Sequence, residues 1–147
     1  MKCDIFMKEA LALAEKAKRE GEVPVGAVVV KGDKIVGRGY NKRETLLSPL
    51  AHAEIEAIHE AAKTLGSWRL TDCDLYVTLE PCPMCAGAII NSRISRVFYG
   101  AYDNKAGSFG TLCDLTLFKY NSTPEIHGGI LEDECKEILQ SFFEDLR

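Results

Sequence analysis

No run of apolar residues in this 147-residue chain approaches the length of a membrane span. The run VPVGAVVV, residues 23–30, is far too short, so no membrane partner is expected. The opening stretch MKCDIFMKEALALAEKAKREGE is charged along its length and lacks the unbroken apolar core of a secretory signal. Positive charge is not in excess either: 18 Lys and Arg stand against 22 Asp and Glu, for a net charge of -4. No block of like charge separates the halves, which excludes a polycation that gathers nucleic acid indiscriminately but leaves room for a local basic patch. Linkers, internal repeats and low-complexity tracts are also missing. With enough apolar residues for a substantial core, residues 1–147 are expected to form a single domain. Six cysteines could form a disulfide framework, but the chain is long and core-rich for that class. A cytoplasmic protein with reduced thiols is the expectation.

What is present reads as strands alternating with helices. Asp4 is suited to cap a helix whose face carries Phe6, Ala10, Leu13, Ala14 and Ala17 and which stops near Gly21. VPVGAVVV and KIVGRGY flank Gly32 and Asp33 and predict a hairpin. NKRETLLSPL, residues 41–50, reads as a loop. From Ala51 a helical pattern runs through Ile55, Ile58, Ala62 and Leu65 to Gly66, a natural helix-ending glycine. DLYVTL, residues 74–79, predicts a buried strand. Pro81 follows, and Pro83 suits the first turn of a helix continuing through AGAII. RVFYGA predicts another strand, YDNKAGSFGT a glycine-containing loop, and a last amphipathic helix carries Leu131, Cys135, Ile138, Leu139, Phe142 and Leu146. The alternation, opened by an antiparallel hairpin, points to an α/β layered fold.

TLEPCPMCAGAII, residues 78–90, sets Cys82 and Cys85 three positions apart, each just after a proline or one residue beyond it. Alone, this spacing fits a metal clip, a thioredoxin-like dithiol or ordinary packing. The stretch AHAEIEA, residues 51–57, narrows the choice. His52 and Glu54 fall in the first turn of a predicted helix, and both can reach a point beyond its N-terminus. Singly, the histidine could cap the helix and the glutamate could simply favour its dipole. Together with the cysteines they form H-x-E…P-C-x-x-C, the pattern of zinc nucleobase deaminases. One zinc held by His52, Cys82 and Cys85 keeps its fourth tetrahedral position for water, as a catalytic site requires. Glu54, not a ligand, is the expected proton-transfer group. A fourth thiolate from Cys73 or Cys113 would close the site and make the metal structural, but neither has motif support. His59 and His127 are expected at the surface or in a supporting role.

The pieces GEVPVGAVVV, GYN, PLAHAEIEAI, LYVTLEPCPMCAGAI, SRISRVFYGA and DNKAG closely resemble the bacterial tRNA adenosine deaminase family. The likeness runs from Glu22 to Arg96, through GAYDNKAGSFGTLCDL, and loosely to the C-terminus. It implies a three-layer α/β/α cytidine-deaminase-like fold with a central mixed sheet, and a homodimer whose active sites lie near the subunit interface. It also implies conversion of adenosine to inosine at the wobble position of a tRNA anticodon stem-loop. By position, Asn41 would contact the target nucleotide, and Val25 and Ala53 would wall the base pocket. Asp103, Lys105 and the loop between them would face the RNA, as would Phe143. Lys42, Arg43 and Lys119 add candidate phosphate contacts.

The chain departs from the family's usual residues at Ser48, Leu50 and Thr111, in KYNSTPEIH, and in the acidic ending SFFEDLR. These departures bear on the RNA contacts and leave the zinc set untouched. Two other readings keep the same motif. One is deamination of a free base or nucleoside of guanine or cytosine type. The other is a zinc-stabilised RNA-binding module that releases no ammonia.

Overall fold

A computed structural model describes residues 2–146. Helix α1 (Lys2–Arg19) leads into a hairpin of β1 (Gly26–Lys31) and β2 (Lys34–Tyr40). Then come α2 (Ala53–Leu65), β3 (Cys73–Leu79), α3 (Pro83–Asn91) and β4 (Arg96–Ala101). A 3-10 turn (Leu115–Leu117), β5 (Glu125–His127) and α4 (Glu132–Asp145) complete the chain. The sheet order is β2-β1-β3-β4-β5. β1 pairs antiparallel with both β2 and β3, whereas β3, β4 and β5 run parallel. The parallel β3–β4 pair needs a crossover, which α3 supplies.

Period-2 alternation along the strands divides the core in two. Val29, Leu75, Val77 and Val97 pack with Ala53, Ala57 and Ala61 of α2 and Ala86 and Ile89 of α3. Val28, Val30, Tyr76 and Phe98 pack on the other face with Met7 and Ala10 of α1 and Cys135 of α4. The result is a mixed sheet between two helical layers, the α/β/α arrangement the resemblance implies. Among the described residues no helix is long and apolar enough to cross a membrane.

Glycine sets how closely α2 lies on the sheet. A Cβ on Gly39 would sit 2.6 Å from the Ala57 amide nitrogen, and one on Gly37 would sit 2.7 Å from that of Ala61. Both distances are inside contact range, so β2 carries glycine where α2 crosses it. Because β1 and β3 are antiparallel, the start of β1 lies beside the end of β3, where the Gly26 amide donates to the buried Thr78 hydroxyl at 3.2 Å. One edge of the sheet therefore gathers the start of β1, the end of β3 and the N-termini of α2 and α3.

Several local expectations need correction. Asp4 is not a cap: α1 already runs from Lys2, leaving Asp4 inside its first turn. The first hairpin strand begins at Gly26, so Val23 and Val25 precede it. β5 was not anticipated in KYNSTPEIH. Leu131 stands at the N-cap of α4 with φ 51°, and Leu146 lies past its end, 68% exposed. The buried face of α4 is instead Cys135, Ile138 and Phe142.

Candidate metal centre and base pocket

Two helix N-termini meet at the edge described above. His52 is the N-cap of α2 and Cys82 the N-cap of α3, both with extended backbone. Neither side chain caps its own helix, so each is free to point outward. The His52 carbonyl accepts from the Glu56 amide at 3.1 Å and the Cys82 carbonyl from the Ala86 amide at 2.8 Å, which fixes both residues to their helices. Pro83 takes the first helical position of α3, where its missing N–H costs nothing.

The side chains converge. His52 Nδ1 lies 3.7 Å from Cys82 Sγ and 3.5 Å from Cys85 Sγ, and all three donor atoms fall within 4.8 Å of one another. Ligands at about 2.0–2.3 Å on the corners of a tetrahedron are separated by about 3.5–3.8 Å. The donor set and its spacing therefore fit a metal bound by one imidazole and two thiols, with one corner left over. Among the described residues only these three form such a cluster. Cys73 opens β3 whereas Cys82 follows its end, on the order of 20 Å of strand away. Cys113 is exposed on a separate loop. Neither closes the fourth corner.

The electrostatics favour thiolate at the cluster. The Cys82 thiol is held well below its usual range, first by the hydrogen bond from the Cys85 thiol and then by His52, with burial opposing. The same bond, together with burial, pushes Cys85 up. His52 is raised, chiefly by its bond to Cys82. Both helix N-termini favour the negative charge that collects here. Glu54, in the first turn of α2, is only 4% exposed. Burial above all, with its own amide opposing and the Cys82 thiolate adding, pushes its carboxyl up to about 7.

Above this cluster opens a cavity of about 200 Å³. That is below the roughly 300–1,000 Å³ of pockets for drug-sized ligands, and it suits a single flat heterocycle. His52, Glu54 and Cys82 line its floor, Val23, Val25, Asn41, Arg43 and Ala53 one side, and Leu79, Glu80, Asp103 and Ala106 the other. Asn41 is held by two local bonds, its amide donating to the Val23 carbonyl at 3.2 Å and its oxygen accepting from the Arg43 amide at 3.0 Å. The side chain is thus both a turn residue and a wall residue.

Not every candidate joins the cavity. Lys42 lies 4.8 Å over the Tyr40 ring, and Lys105 is exposed on the 102–111 loop, both outside the cavity wall. Phe143 is 48% exposed on α4 and borders a different hollow, beside Tyr102. Lys119 is exposed. His59 is exposed on α2, and His127 stacks on Phe98, with ring centroids 4.9 Å apart.

A family model described as MafB19-like deaminase matches residues 1–147. The tRNA-specific adenosine deaminase of Bacillus subtilis strain 168 is 50% identical over 145 residues, spanning 98% of this chain and 90% of that protein. The chain belongs to the bacterial tRNA-specific adenosine deaminase family. A solved structure from work on A-to-I editing by tRNA:A34 deaminases is 42% identical, with a TM-score of 0.84 over 91% of this chain and 98% of that one. A guanine deaminase structure from Bacillus subtilis is also 42% identical, but its TM-score is 0.66 over 82% of this chain and 76% of that one. Membership of this deaminase family places the chain among hydrolytic enzymes.

Sequence reading missed two residues at the site, Glu22 and Glu80, buried to 1% and 2% exposure. Glu80 follows β3 directly and Glu22 precedes Val23 in the cavity wall. The one signal was a glutamate set between a buried apolar strand and a proline, in TLEPC.

Proposed function

We propose that residues 1–147 work as one zinc deaminase domain, converting the wobble adenosine of a tRNA anticodon stem-loop to inosine with release of ammonia. One observation carries this reading: His52, Cys82 and Cys85 converge at ligand spacing, and His52 and Cys82 form, with buried Glu54, the floor of a base-sized cavity. Bound there, zinc would supply Lewis acidity and a water acidified toward neutral pH. Glu54 is placed so that it would accept a proton from the attacking water and return protons to the ring nitrogen and the departing amine. Its burial, which raises the carboxyl above the usual glutamate range, suits a group that both takes up and gives back protons. Asn41 and the Ala53 backbone orient the base edge, and Val25 and Leu79 exclude water from its faces.

A cavity of this size admits a base only after it leaves its stack, so an unpaired loop nucleotide is the suitable substrate. Arg43 at the rim and Lys105 on the neighbouring loop offer charge to the backbone on either side of it. The homodimer is supported by Leu117, which ends the 3-10 turn that packs on α3, and by Phe118 just after it, 80% and 60% exposed. The cytoplasm, with its reduced thiols and its tRNA, is the matching compartment.

The likeness to guanine deaminase favours one competing reading, turnover of free guanine by the same floor residues. Steady-state ammonia release from an anticodon hairpin and from guanine, each at two ionic strengths, separates the two. Hairpin turnover that weakens with salt is expected, since phosphate contacts release counterions. Efficient guanine turnover with an inert hairpin would overturn the tRNA reading and leave the zinc chemistry standing.

A further inference from the structure

Two loops, residues 41–50 and 102–111, bring Asn41 and Arg43, and Asp103 and Ala106, to opposite sides of the cavity. Loop amides have no ladder to satisfy them, yet both loops are tied down in the same way. Glu80 Oε1 accepts from the Asp103 amide at 3.1 Å and from the Thr111 hydroxyl. Its Oε2 accepts from the Phe109 and Thr111 amides at 3.1 and 3.2 Å. Gly107 completes the nest, because a Cβ there would collide with Glu80 Oε1 and the Asp103 carbonyl. Across the cavity, Glu22 Oε1 accepts from the Glu44 amide at 3.1 Å. Its Oε2 accepts from the amide and hydroxyl of Thr45, both at 2.6 Å. Neither carboxylate forms an ion pair among the described residues.

A buried carboxylate with no cation is expensive unless its lone pairs are filled, and here the two loops fill them. The coupling works in reverse: each loop keeps its shape only while its carboxylate stays in place. Asp103 and Arg43, which both border the cavity, are one or two residues from these bonds or take part in them. Glu80 also lines the cavity, but the oxygens of both anchors accept from loop donors, which marks them as positioning rather than proton-transfer groups.

We propose that Glu80 and Glu22 are positioning residues that hold the two cavity walls in their base-accepting arrangement before RNA arrives. This rests on the tRNA reading above and deepens it. A wall that is only fractionally in place raises the apparent dissociation constant by the inverse of that fraction, while the chemistry of a bound base is unchanged. Loss of an anchor therefore acts on KM for the hairpin far more than on kcat.

The test uses full-length, zinc-loaded protein and four variants. Glu80→Gln keeps the volume but presents N–H groups to one pair of donors. It should raise the hairpin KM by about ten- to a hundredfold, as for lost bonds to a charged group, with kcat within about threefold. Thr111→Val removes one hydroxyl bond and should raise KM by about two- to tenfold, and Thr111→Ser should restore it. Zinc content should be unchanged throughout. Amide hydrogen exchange of Asp103, Phe109 and Thr111 should quicken in Glu80→Gln and Thr111→Val. Glu22→Gln should quicken exchange at Glu44 and Thr45 alone. Unchanged exchange and KM, or a fall in kcat with loss of zinc, overturns the proposal. If Glu80→Gln does not fold, the valine and serine pair at Thr111 decides it. A wild-type protein inert on the hairpin overturns the tRNA reading only, and the exchange pattern then decides the anchors.

Discussion

Replacing Glu54 by Gln should do two opposite things. The carboxyl is buried at 4% exposure and raised from 4.5 to about 7, chiefly by that burial. A rise of this size corresponds to on the order of 3 kcal/mol between the two protonation states. Because the folded value lies above the unfolded one, the group's contribution to stability is complete below 4.5. It is lost as the pH climbs through about 7. Metal-free wild type at pH 8 therefore carries a buried charge that the unfolded chain holds in water. Glu54→Gln keeps the shape and removes that charge. Urea unfolding of chelator-stripped protein should find the variant more stable at pH 8, by up to on the order of 3 kcal/mol, with the difference shrinking toward pH 5. Loading the metal should narrow the gap, because a nearby cation favours the charged carboxylate. Deamination by the zinc-loaded variant should nonetheless fall by about 10²–10⁴-fold, the usual cost of a lost proton-transfer group. Equal or lower stability of the variant at pH 8, or turnover within about threefold of wild type, refutes the reasoning.

Cys85→Ser should lose most of its bound metal by elemental analysis and unfold at lower temperature, since metal affinity is folding free energy; full metal with normal turnover would remove Cys85 from the ligand set. Gly39→Ala should cost about 1–3 kcal/mol by denaturant titration, because its Cβ drives α2 off the sheet. It should also weaken metal binding, because His52 stands at the N-cap position of that helix and moves with it, whereas an unchanged protein would mean the close approach is soft. Neutralising Arg43 or Lys105 should each flatten the salt dependence of hairpin affinity by up to about one unit of slope per phosphate contact, and an unchanged slope would place the RNA elsewhere.

Much of the site was legible because its chemistry is local in sequence. His52 and Glu54 share one helical turn, and Cys82 and Cys85 another, and Pro83 and Gly66 mark helix ends through their own backbone constraints. The hairpin was readable from Gly32 and Asp33 between two apolar runs. What escaped was set by distant partners. Glu80 meets Phe109 and Thr111 across 29 and 31 residues, and Glu22 meets Thr45 across 23, so no short window along the chain contains both ends. β5 is only three residues long and exists because β4 offers it a partner, not because Glu-Ile-His favours a strand. Leu131 and Leu146 continue the apolar period of α4 on paper, but the helix spans only the residues between them. The position of β1 between β2 and β3 was likewise invisible. A strand buried on both faces, as Val28 and Val29 show, carries no apolar–polar alternation to say which neighbours it has.

The central claim is tested most directly by one preparation assayed before and after metal removal. Zinc per chain is measured, and the wobble base of an anticodon hairpin is then identified by mass. The account predicts about one zinc per chain and conversion of that adenosine to inosine, lost on chelation and regained when zinc is restored. Full conversion by metal-stripped protein, or an unaltered hairpin with one zinc per chain in place, would contradict it.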